Sequence, residues 1–155
     1  MLFRSLLALF FAAHAPQAMA QSQNYDVRPQ ASRVTGGDLA KSFTGITHKG
    51  AYNFDQGGRA DNNYTERHHA DGKITYTEKG ETLTGRWRLT PDNMICYSYD
   101  NAGLLPGCFR VYKIGTCYYF YASHFIARED ESDQEYWTAR SVEKGKSATC
   151  LEMFV

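Results

Sequence analysis

Short β-type runs, alternating apolar and polar residues and broken by Gly, Asn and Asp turns, constrain this chain more than any other feature. They are densest from Met94 to Phe125 (MICYSYDNAGLLPGCFRVYKIGTCYYFYASHF), a stretch with three of the four cysteines and six of the eleven tyrosines. The candidate strands are Ile46 to His48, Ala51 to Phe54, Arg59 to Arg67, Lys73 to Glu78, Thr82 to Leu89, Met94 to Tyr99, Phe109 to Lys113, Cys117 to Phe125, Tyr136 to Ser141 and Cys150 to Phe154. Between them stand Asp55-Gln56-Gly57-Gly58, Asp71-Gly72, Lys79-Gly80, Thr90-Pro91-Asp92-Asn93 and Ile114-Gly115, turn chemistries that supply positive φ where it is needed. Turns this short join antiparallel neighbours, so each element is expected beside the next.

Alternation says which side is inside. In ETLTGRWRL, Leu83, Gly85, Trp87 and Leu89 share one face while Thr84, Arg86 and Arg88 share the other, so Trp87 belongs to the core and the arginines to water. Ile74 and Tyr76 fall together in GKITYTE. A tight turn at Ile114-Gly115 would set Val111 opposite Tyr118, and facing Cys96 with Cys108 sets Ile95 opposite Phe109. A meander must hide its edges. The expected fold class is therefore all-β: an antiparallel meander forming a small barrel or strongly curled sheet, lipocalin-like in its simplicity, with one short N-terminal helix. That helix runs from Asp38 to Phe43, capped by Thr35 and stopped by Gly45, with Leu39 and Phe43 four apart on one face. It is placed to plug one end or face of the sheet.

The N-terminus carries the marks of export. Arg4 supplies a positive n-region, Leu6 to Ala13 an apolar core too short to span a bilayer, and Ala18-Met19-Ala20 a small-x-small cleavage site. Residues 1–20 thus read as a signal peptide, 21–33 as a flexible polar leader, and 34–155 as one disulfide-stabilised β domain. A periplasmic or secreted protein is expected. Without Arg4 the balance is 16 basic against 17 acidic residues, from 17 and 17 in the whole chain. That argues against nucleic acid or an anionic membrane as a partner. Four cysteines in an exported chain read as two disulfides, and no CxxC pair offers a zinc site. Three connectivities are open. Cys96 and Cys108 lie at similar depth on two strands joined by a loop, a pairing that would leave Cys117 for Cys150.

Several groups carry possible chemistry. His68, His69 and Asp71 are metal-ligand types, with His48 and His124 available to complete a set, but adjacent histidines on a strand point to opposite faces. The run Glu129 to Glu135 offers oxygens to calcium without the glycine or spacing of an EF-hand loop, and reads as a solvated turn. Arg86, Trp87, Arg88 and Arg110 mix charge with an aromatic, yet alternation sends Trp87 away from its flanking arginines, so no stacking platform follows. No GxSxG elbow is present and the cysteines are expected to be oxidised, which leaves no thiolate nucleophile. No catalytic residue or cofactor is assigned. Tyrosines have an apolar body and a polar tip, so Tyr97, Tyr99, Tyr112, Tyr119 and Tyr121 are the candidate binding residues, as cross-strand packing or as a surface for a partner.

The order of short motifs resembles a family of small exported proteins of unknown function found mainly in alphaproteobacteria. It comprises Gly45-Ile46-Thr47, then Tyr64, Glu66, Asp71 and Gly72, then Gly85 and Trp87, then Cys96, Tyr97 and Tyr99, then Cys108, Val111 and Tyr112. The resemblance spans roughly Leu39 to Tyr119. It implies a bacterial periplasmic or secreted protein, supports Cys96 with Cys108, and carries no activity to transfer. Cys117 and Cys150 look like additions to that pattern. The expected function is a non-catalytic, monomeric binding protein that uses a tyrosine-rich surface on a protein or glycan. The alternative is a lipocalin-like carrier of a small apolar ligand, with a His/Asp metal enzyme the remaining reading.

Overall fold

A computed structural model describes residues 27–53, 63–100, 106–123 and 137–150. The expected signal peptide (residues 1–20), residues 21–26 of the expected leader, the expected Asp55 to Gly58 turn, His124, the Glu129 to Glu135 run and residues 151–155 lie outside the described residues. The elements are β1 (Ser32–Arg33), α1 (Gly36–Phe43), β2 (Thr47–Tyr52), β3 (Tyr64–His68), β4 (Lys73–Glu78), β5 (Glu81–Leu89), β6 (Ile95–Tyr99), β7 (Gly107–Ile114), β8 (Cys117–Ser123) and β9 (Ala139–Glu143). Strands β2 to β9 each pair antiparallel with the next, and β9 returns to pair with β2, closing an eight-stranded up-and-down barrel. Eight strands enclose a space just wide enough for side chains to fill or for one small ligand.

The interior follows the alternation in the sequence. Trp87 lies opposite Tyr97, Leu89 opposite Ile95, Ile95 opposite Phe109, and Ile74 opposite Gly85, all directed inward. Their neighbours Arg86, Arg88 and Ser98 are exposed, with Thr65, Thr75 and Thr77 half-exposed on the same outer wall. This apolar-in, polar-out wall is the reverse of a lipid-facing barrel. Among the described residues no helix is long and apolar enough to cross a membrane. The disulfides are Cys96–Cys108, across directly opposed positions of β6 and β7, and Cys117–Cys150, which ties the chain end to β8.

Helix α1 plugs one end. Leu39 and Phe43 are buried, and the Phe43 ring stacks on His48 at 4.7 Å and meets His68, Tyr118 and Phe120 edge-on at 5.1, 5.5 and 5.8 Å. The cap differs from expectation. Thr35 makes no side-chain capping bond; instead the Gly36 N–H donates to Asn93 Oδ1 at 2.6 Å. The β5–β6 turn thus satisfies the first helix donor, and Asn93 reaches it from a left-handed φ of 59°.

Three further expectations are corrected. Ile46 to His48 and Ala51 to Phe54 merge into one strand, β2, because Gly50 is extended and leaves room for the Tyr64 ring where a Cβ would collide. Val111 faces Phe120, and Tyr118 faces Lys113, because the hairpin turns on Gly115-Thr116. A shift of two residues keeps Val111 and Tyr118 on the inner face, since the side-chain period is two. Residues 27–33 are not a free leader: Val27 is fully buried, its N–H donates to the Tyr121 hydroxyl at 3.0 Å, and Ser32 and Arg33 pair with Lys113 and Tyr112 of β7. This segment covers a second apolar cluster on the outer face of β8 and β9, formed by Cys117, Tyr119, Tyr121, Trp137 and Val142.

Removing the Phe43 ring leaves a cavity that touches four aromatic neighbours. Phe43→Ala is expected to lower unfolding free energy by about 3–5 kcal/mol in urea titrations; a loss below about 1 kcal/mol would mean that the plug is not integral to the fold.

Candidate functional site

Strand β3 reads Tyr-Thr-Glu-Arg-His, and its period of two sends Tyr64, Glu66 and His68 inward while Arg67 is exposed. A carboxylate therefore stands on the apolar face of a strand. Glu66 lies opposite His48 of β2 and Tyr76 of β4, midway between a histidine layer beside α1 and a tyrosine layer at the far end. The Tyr99 hydroxyl donates to Glu66 Oε1. Its other oxygen has His68 Nε2 at 3.6 Å. Burial pushes the Glu66 carboxyl up to about 7, against the pull of the Tyr99 hydrogen bond. Burial, and after it the neighbouring His48, holds His68 down to about 3, so the contact with Glu66 is not an ion pair.

Toward the far end the lining is almost wholly tyrosine. Ring centroids of Tyr52 and Tyr64 lie 5.1 Å apart, Tyr64 and Tyr76 5.6 Å, Tyr76 and Tyr99 5.5 Å, and Tyr97 and Tyr99 6.4 Å. The hydroxyls are linked: Tyr52 and Tyr76 hydrogen-bond at 3.0 Å, and Tyr76 donates to Glu78 Oε2 at 2.8 Å. Burial raises the Tyr52 hydroxyl to about 12 and raises Tyr64, Tyr76, Tyr97 and Tyr99 as well, so these groups remain neutral donors. Tyr52, Glu78, Leu83 and Tyr99 are only partly buried, which makes this end the exposed margin of the cluster.

The histidine layer has a different character. His48 contacts Ser141 Oγ through Nδ1 and the Ser42 carbonyl through Nε2, both at 2.9 Å, and burial lowers it to about 4. Ser141 is fully buried and both ring nitrogens of His48 are engaged, so the pair braces α1 against β9 and presents no nucleophile to solvent. His68 Nε2 pairs with the Tyr97 hydroxyl at 3.0 Å.

The candidate residues read from the sequence are thus divided. Tyr97 and Tyr99 point into the barrel and join the Glu66 cluster, whereas Tyr119 and Tyr121 are buried on the outer face beneath Val27 and Trp137. Tyr112 is half-buried with its ring 5.3 Å from Tyr121. They form no contiguous exposed surface. His68, His69 and Asp71 do not meet: His68 is internal, His69 turns outward to Thr75 Oγ1 at 3.0 Å, and Asp71 is exposed beside Lys73. Among the described residues no three metal-ligand side chains gather. Tyr64 and Glu66 enter the sequence reading only as members of the motif pattern and Tyr52 not at all, although Glu66 standing between Tyr64 and His68 at a spacing of two is the available signal.

An outer groove of about 380 Å³ between α1, β7 and β9 is lined by Arg33, Lys41, Lys113 and Lys146. Lys41 and Lys146 are matched there by Asp38 and Glu143, and the charged groups are solvated surface side chains. No family model, curated protein or solved structure matches the chain.

Glu66 gives the fold a pH signature. Unfolded, it ionises near the ordinary 4.5; folded, it keeps its proton to about 7. Its stabilising share is complete below about 4.5 and is lost as pH rises to about 7, whereas His48 and His68 act oppositely and lose theirs as pH falls below 6.5. Glu66→Gln removes only the first dependence. Its stability relative to the native chain is expected to be more favourable at pH 8 than at pH 5 by on the order of 2–3 kcal/mol in parallel denaturant titrations.

Proposed function

We propose that this protein is a non-catalytic, exported carrier that receives a small molecule at the far end of its barrel. One observation carries the reading: a buried carboxyl, Glu66, stands within five inward tyrosines at one end, while α1 closes the other. Concave sites lined by aromatic groups with a few convergent polar atoms are what small-molecule binding uses. Burying an ionisable group costs stability once it is charged, and such groups concentrate at functional sites. Placement outside the cytoplasm is supported by the two disulfides together with the signal-like N-terminus. Binding through an outward tyrosine surface loses its support, because Tyr97, Tyr119 and Tyr121 are buried.

Leu83 faces Tyr76 at the margin of the cluster and is half-exposed, so a larger side chain there narrows the approach without opening the core. The native chain, equilibrated with a mixed small-molecule library and desalted, is expected to show 1:1 adducts in native mass spectrometry. Leu83→Trp is expected to abolish them while retaining the native circular dichroism spectrum. Adducts that persist in Leu83→Trp, or none with the native chain, would overturn the carrier reading.

A further inference from the structure

We propose that the ligand class is a protonated primary or secondary amine on an apolar or aromatic body, its ammonium group set against Glu66; this rests on the carrier reading above. A carboxylate buried in a barrel is stabilised by a neighbouring cation, and among the described residues none is placed against Glu66. Among the described residues the neighbours of Glu66 are the Tyr99 hydroxyl on one oxygen and the Nε2 of a neutral His68, at 3.6 Å, on the other. Among the described residues the inward side chains around Glu66 toward the far end are neutral or acidic: Tyr52, Tyr64, Tyr76, Leu83 and Tyr99, with Glu78 at the rim. Lys113 of β7 is exposed in the outer groove at the α1 end, 4.9 Å from the Tyr118 ring. The lining thus favours positive charge and disfavours an anion.

The rings strengthen that preference. The face of a tyrosine attracts a cation electrostatically, more strongly when water is excluded. Tyr52, Tyr64, Tyr76, Tyr97 and Tyr99 form a continuous wall with neighbouring centroids 5.1 to 6.4 Å apart. An amine with at least one N–H can donate to Glu66 Oε2, which a quaternary ammonium cannot. Its apolar body then lies along the rings toward Leu83.

Binding is coupled to a proton. The groups facing Glu66 are Tyr99 and Tyr97 of β6, Tyr76 of β4, His48 and Tyr52 of β2, and Tyr64 and His68 of its own strand, all of them neutral near pH 6. At that pH the free protein carries Glu66 as the acid. The incoming ammonium keeps its charge, Glu66 releases its proton to solvent, and an ion pair forms between carboxylate and ammonium.

Calorimetric titrations with 2-phenylethylamine, 2-phenylethanol and 3-phenylpropionate separate charge from shape. The amine is expected to bind about tenfold or more tightly than either isostere, to gain affinity from pH 5 to pH 7, and to release protons at pH 6 as read from buffers of different ionisation enthalpy. Glu66→Gln is expected to weaken the amine about tenfold or more and to abolish proton release, while leaving 2-phenylethanol unchanged. Equal binding of amine and alcohol, no amine binding at millimolar concentration, or an amine affinity indifferent to Glu66→Gln would overturn the proposal. Tyr99→Phe, which keeps the ring and removes only the hydroxyl, is the second variant should Glu66→Gln fail to fold, and is expected to alter the pH midpoint of amine binding. Failure of the amine with library adducts still blocked by Leu83→Trp would defeat the ligand class and leave the carrier reading standing.

Discussion

Closure of β9 onto β2 is the constraint on which the rest of the molecule depends. Five residue pairs, from His48 with Glu143 to Tyr52 with Ala139, join the last described strand to the first strand of the meander. Without that seam β2 and β9 would be unpaired edges, and the side chains between them would face water. With it, one face of every strand becomes an interior. Side chains that alternate along a strand then have only two fates, and a single parity decides the contents of the barrel. Glu66 is inside because Tyr64 and His68 are, and they are inside because Ile74 and Trp87 must be.

This explains which parts of the structure could be read from the sequence. Trp87 inward with Arg86 and Arg88 outward, and Ile95 opposite Phe109 with Cys96 opposite Cys108, all follow from period-two patterning and short turns. The Val111 register was off by two residues, an error that parity tolerates because it leaves every side chain on its own face. What could not be read was long-range. Tyr119 and Tyr121 stand on the outward parity of β8, and the return of Val27, 94 residues away from Tyr121 in the chain, together with Trp137 covers them. The helix cap failed for the same reason: Asn93, from a distant turn, supplies the acceptor that Thr35 was expected to provide.

The candidate site was legible in a different way. Alternation assigned Tyr76 correctly, and the same rule applied to Tyr64, Glu66 and His68 places a carboxyl in the core. A core glutamate contradicts the local rule that charged groups stay outside unless paired. Such contradictions gather where function has overridden stability. His69, one residue on, shows the ordinary outcome, with its ring on the outer wall bonded to Thr75. The metal reading joined His68 to His69 by adjacency in sequence, and adjacency on a strand is what separates them.

The barrel is divided along its axis by the kind of group it buries. Beside α1 the histidines are neutral and enclosed: His48 is braced by Ser141 and the Ser42 carbonyl, and Phe43 stacks on its ring. These contacts tie the plug to β2 and β9 and give that end a fixed geometry. Away from α1, hydroxyls and carboxyls take over, and the chain of contacts from Glu66 through Tyr99 and from Tyr52 through Tyr76 to Glu78 runs toward partly exposed positions. The surrounding packing absorbs the cost of Glu66, and because Gly50 leaves space for the Tyr64 ring, the tyrosine wall can approach the sheet closely. Replacing Glu66 by an apolar residue would relieve the fold and erase the carboxyl group that the barrel buries between its histidine and tyrosine layers.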